Sequence, residues 1–135
     1  MFGFFKKRNK VNVSEESEVK ELSQEEKQNI SDDIENKLQV IKKMDQSDNE
    51  KLSLEFEQLG LLYSELGQTD EAIAALEKSL SHQKSIGDGY KTLMKLYNMK
   101  RAEAARNKNN DAIDKWMNKM DEMRQIAKEV TIKRR

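Results

Sequence analysis

Apolar and polar positions divide the chain into a start without periodicity and a helical remainder. In residues 9–24, NKVNVSEESEVKELSQ, a few apolar residues are scattered among acids and amides with no sustained stripe, which predicts a flexible linker. From Ser23 the pattern changes. Ser23 followed by Glu26 has capping-box spacing, and Ile30, Ile34, Leu38 and Ile41 then recur every three or four positions, predicting an amphipathic helix over 24–44. DQSDNE at 45–50 is rich in turn and cap formers, so a second helix should begin near Asn49 or Glu50 and reach 66. Three more helices are expected over 69–84, 88–108 and 110–131, separated by Gly67, by Gly87 and Gly89 around Asp88, and by Asn109-Asn110.

An internal repeat makes the reading more specific. Phe56, Leu59, Gly60 and Tyr63 align with Tyr90, Leu93, Met94 and Tyr97 at a constant offset of 34. The first copy reads F-x2-L-G-x2-Y-x3-G-x4-A-I-x2-L from Phe56 to Leu76, and it resembles a tetratricopeptide repeat, with Phe56 where that family often has tryptophan. In the second copy Ala112, Ile113, Trp116 and Met120 match Ala72, Ile73, Leu76 and Leu80 at an offset of 40, so six residues have been added between its helices. The resemblance covers residues 53–131.

The spacing has a physical reading. Phe56, Leu59 and Tyr63 share one helix stripe, while Gly60 removes a side chain where a neighbouring helix approaches, and Ala72 supplies a second small contact. Gly67 suits a left-handed helix end, and Thr69 or Asp70 can cap the helix that follows. The insertion falls in MKRAEAARNKNND and should lengthen the fourth helix by one to two turns before an asparagine turn. Met94 stands where the close crossing calls for glycine, and Trp116 is expected to pack between repeats. The fold class is therefore all-α. The resemblance implies right-handed, stacked antiparallel helix hairpins over residues 24–135, with helix 24–44 as an N-terminal cap and residues 1–23 as a flexible tail. Two full repeats are fewer than usually stand alone, which calls for that cap helix or for self-association into a homo-oligomer.

Composition supports this picture. Among the 135 residues, 37% are charged, 36% are hydrophobic and none is proline, which disfavours turn-rich β folds and favours long helices around a thin core. Net charge is zero but unevenly placed: four bases lie in residues 1–10, nine acids against two bases in 11–35, and thirteen bases against seven acids in 87–135. No apolar run is long enough to span a bilayer. At the start, Phe2, Phe4 and Phe5 precede Lys6, Lys7 and Arg8, the reverse of a secretory signal. That order suits an interfacial anchor on an anionic membrane, similar to the aromatic-basic starts of several bacterial peripheral proteins, or else an idle terminus. The expected location is the cytoplasm, with peripheral attachment to the inner face of the membrane.

Catalytic constellations are scarce. There is no cysteine, and His82 is the single histidine, so neither a zinc site nor a cysteine nucleophile can be assembled. Ser79, Ser81 and Ser85 near His82 lack a nucleophile-elbow pattern and read as exposed polar residues, and Gly87 and Gly89 form no phosphate loop. Adjacent carboxylates such as Asp32 and Asp33 diverge around a helix. The expectation is a non-enzyme with no cofactor and no metal.

Binding has more support. The resemblance implies a groove lined by the first helix of each repeat, which maps to Leu54, Glu57, Leu61 and Ser64 and to Asp88, Lys91, Lys95 and Asn98. Lys91, Lys95 and Asn98 share one face and can hold a carboxylate or an acidic segment of a partner protein or peptide. Five of seven methionines fall in the second repeat, with Met94 and Met120 at core positions and Met117 and Met123 as candidates for an exposed patch. The function expected is a protein- or peptide-binding scaffold. Its rival is a nucleic-acid-associated regulator using the basic C-terminal region that closes with Lys133, Arg134 and Arg135, although no recognition helix or aromatic platform accompanies that charge.

Overall fold

The computed structural model describes residues 21–133. Within them lie five helices and no strand: α1 (Gln24–Lys43), α2 (Asn49–Glu65), α3 (Thr69–His82), α4 (Asp88–Arg106) and α5 (Asn110–Lys133). Ser23 caps α1 through the expected reciprocal box, its hydroxyl accepting from the Glu26 amide at 3.1 Å while Glu26 accepts from the Ser23 amide at 2.9 Å. Gly67 ends α2 with φ of +75°, the left-handed conformation that a residue with Cβ adopts at a cost. Thr69 and Asp70 do not cap α3. The helix begins one residue earlier than that reading requires, with Gln68 at the cap position and no side-chain bond there, so both residues lie inside the first turn.

α2 packs chiefly on α3, and α4 on α5. The first pair is antiparallel, with Ser53 near the start of α2 bonded to Ser79 near the end of α3. Gly60 meets Leu76 so closely that an added Cβ would lie 2.6 Å from the leucine Cγ, and Ala72 is fully buried. In the second pair Tyr90 donates to the Met123 carbonyl at 3.0 Å, and the Tyr97 ring lies 5.8 Å from that of Trp116, again antiparallel. The added residues extend α4 at its C-terminal end. Lys108 then takes φ of +55°, and Asn109 accepts from the Ala112 amide to start α5.

Among the described residues two apolar clusters form the core. Ile34 and Ile41 of α1 join Leu52, Leu59 and Ala75, so α1 covers one side of the first hairpin. Ile73, Leu76, Leu93, Leu96, Tyr97 and Met123 form the other cluster across α3, α4 and α5, and Tyr63 packs against both. Met123 is thus a core residue and not part of an exposed patch. It continues the 112, 116, 120 stripe of α5, which places it on the inward face, whereas Met117 is half exposed. Trp116 is half-buried and makes its ring contact within the second hairpin. No helix among the described residues is long and apolar enough to cross a membrane.

Candidate functional site

α4 presents its outward face because its inward positions are committed. Leu93, Leu96, Tyr97 and Ala104 are buried, which leaves Asp88, Lys91, Lys95 and Asn98 on the exposed side. Lys91 and Lys95 sit one turn apart and make no ion pair among the described residues, whereas Lys100 is held by Asp70 at 3.1 Å and Lys119 by Glu77 at 3.0 Å. The bond from Asp70 raises the Lys100 ammonium above the usual lysine range. Asn98, exposed, accepts from the Arg101 Nε at 3.0 Å through its side-chain carbonyl. Met99, half exposed, flanks this stripe.

The α2 residues expected in the same groove divide among three surroundings. Leu54 is half exposed, in keeping with a binding surface, and Ser64 is partly buried. Glu57 is occupied elsewhere. Its Oε2 accepts from the Gly89 amide at 2.7 Å, so a side chain from α2 satisfies the start of α4, where Gly87 at the cap position has none to offer. A Cβ on Gly89 would approach Glu57 Oε2 to 2.7 Å, so any other residue there would push the carboxylate out of its place. Leu61 is partly buried and faces α1, where it lines a groove of about 430 Å³ together with Asp33, Lys37, Val40, Leu62 and Glu65.

The side chains that could suggest chemistry are engaged in hydrogen bonds and packing. His82 Nδ1 lies 2.9 Å from Asn49 Oδ1, and its ring stacks on Phe56 at 5.7 Å, tying the end of α3 to the start of α2. Ser79 is buried and not an exposed polar residue: its hydroxyl donates to the Ser53 carbonyl at 2.7 Å while Ser53 donates to the Ser79 carbonyl at 2.9 Å. The polar pair is satisfied inside the helix contact, where a one-residue slip would strand both hydroxyls. Tyr97 donates to Glu77, and burial followed by that carboxylate pushes its phenol well above the usual tyrosine value, so it remains a donor. No cluster of three or more histidine, aspartate or glutamate side chains suited to a metal occurs among the described residues.

Phe2, Phe4, Phe5, Lys6, Lys7 and Arg8, expected to meet a membrane, lie outside the described residues, as do Arg134 and Arg135. Sequence reasoning missed the clamp made by Glu57 and Gly89, although a glycine in the first turn of a helix was an available sign of close approach. It also missed the α1–α2 groove, because a pairing between helices from different parts of the pattern has no signature in spacing. Comparison with protein-family models, with curated proteins and with solved structures finds no match.

Proposed function

We propose that this chain is a non-catalytic scaffold of tetratricopeptide-like helix hairpins that holds an acidic segment of another protein on the outer face of α4. The observation that carries the reading is the pair Lys91 and Lys95, two cations one turn apart, exposed and without an ion pair among the described residues, followed one turn on by the exposed Asn98. Two ammonium groups and an amide donor in line suit carboxylates, each bond being charge-assisted. Leu54 and Met99 add exposed apolar surface for a neighbouring aliphatic side chain. Support for the repeat architecture comes from Gly60 against Leu76, Gly67 in the left-handed region, buried Ala72 and the direct contact between α2 and α4.

The test is affinity capture with the full chain beside the doubly reversed Lys91→Glu, Lys95→Glu chain. A partner retained by the first and lost by the second, with circular dichroism unchanged, supports the reading. Equal recovery of every partner by both chains removes the site from α4.

A further inference from the structure

The α1–α2 groove has a floor and a rim of different chemistry. Val40, 48% exposed, Leu61 and Leu62 supply apolar surface, while Asp33 and Glu65 stand at one end and make no ion pair among the described residues. Lys37 adds no net cation there, since Glu55 at 2.8 Å and Gln58 at 2.6 Å hold it. Because the turn at 44–48 reverses the chain, Asp33 and Glu65 mark the end of the groove nearest the start of α1, and Val40 lies further in. Apolar surface beside two carboxylates suits a ligand with apolar side chains next to cations.

We infer that the groove is the docking site of the chain's own residues 2–8, whose three phenylalanines would lie on Val40 and Leu61 with Lys6, Lys7 and Arg8 against Asp33 and Glu65. The order of residues matches the order of the groove. Traced back from Ser23, the chain reaches the bases before the phenylalanines, and traced from the start of α1 the groove presents carboxylates before its apolar floor. The reach is sufficient. Asp33 lies about 15 Å and Val40 about 25 Å along α1 from Ser23. A random-coil chain of about fifteen residues has a root-mean-square span of about 20 Å. Tethering at that length gives an effective concentration on the order of millimolar, so a contact too weak to hold a free peptide is populated within the chain. The intervening segment also carries Glu15, Glu16 and Glu18, which match the bases in charge alone, whereas the groove matches the phenylalanines as well.

The absence of native cysteine allows a single nitroxide to be placed by Gly3→Cys in the full chain. The amides of Asp33, Val40 and Leu61 should lose most of their intensity through paramagnetic relaxation, while those of Lys91 and Lys95 do not. The signals should recover in Val40→Gln and in Asp33→Lys with Glu65→Lys, changes at exposed positions whose folding is checked by circular dichroism. No loss at the groove, or a loss unchanged by those substitutions, overturns the proposal. Loss seen when isotope-labelled chain without nitroxide is mixed with nitroxide-bearing unlabelled chain overturns it in favour of a second copy. An unperturbed groove in a chain that sediments with anionic phosphatidylserine vesicles overturns it in favour of lipid. None of these outcomes bears on Lys91 and Lys95, so the α4 reading stands or falls separately.

Discussion

The two hairpins solve the same packing problem with opposite materials. In α2–α3 the helices approach through small residues, Gly60 and Ala72, and are locked by the buried pair Ser53 and Ser79. In α4–α5 the contact runs through large side chains, Tyr97, Trp116, Met120 and Met123, with Lys115 lying 4.6 Å from the centre of the Trp116 ring. The contact at Gly60 is unforgiving, because the Leu76 side chain it meets is itself buried in close packing and must shift to admit an extra atom. Trp116 and Met120 are only partly buried, so substitution there should be better tolerated than at Gly60, while Tyr97 and Met123 are buried with the core. Lys91 and Lys95, which make no ion pair among the described residues, belong to this second hairpin.

The sharpest break between the two should come from Gly60→Leu. A Cβ there would already lie 2.6 Å from Leu76 Cγ, so the branched chain should cost about 3 kcal/mol and lower the melting temperature markedly. Trp116→Ala should cost less, about 2 kcal/mol, because the indole is only half-buried. Its effect should be local, with hydrogen exchange accelerated in α4 and α5 before α2 and α3.

Tyr97→Phe should remove about 1 kcal/mol at neutral pH, since Glu77 keeps Lys119 as a partner. Its alkaline signature is more telling. The folded phenol ionises above its usual value near 10, so an unfolded chain releases that proton first. The stabilisation is complete below about pH 10 and is lost as pH rises beyond it. Melts at pH 9 and pH 11 should therefore show a smaller alkaline loss in Tyr97→Phe than in the parent; part of the loss persists because Lys100, also raised, titrates in the same direction. The smallest stability effect is expected from Lys91→Glu with Lys95→Glu, within about 0.5 kcal/mol for exposed residues.

Much of the helical layout was legible because it follows from local rules. The Ser23 box, the left-handed Gly67 and the closeness of Gly60 to the third helix all follow from residue type and spacing, and each has its counterpart in the structure. What escaped the sequence involves partners distant along the chain. Glu57 has the spacing of a surface position, and only the approach of α4 with an uncapped start converts it into a clamp on Gly89. Ser79 reads as polar and exposed until Ser53 is placed opposite it. Met123 could have been assigned inward, since it completes the stripe begun by Ala112 and Trp116, but its resemblance to the neighbouring methionines obscured that periodicity. Of the eight residues expected in one groove, those of α4 keep a common outward face, while Leu61 turns to α1 and Glu57 closes the joint.

The central claim is that the outer face of α4 holds acidic segments through Lys91 and Lys95, and calorimetric titration of a captured partner into the full chain tests it most directly. Reversing both lysines should weaken the dissociation constant about tenfold or more at low salt, with the difference shrinking as salt is raised. Equal affinity of the parent and the reversed chain for that partner would contradict the account.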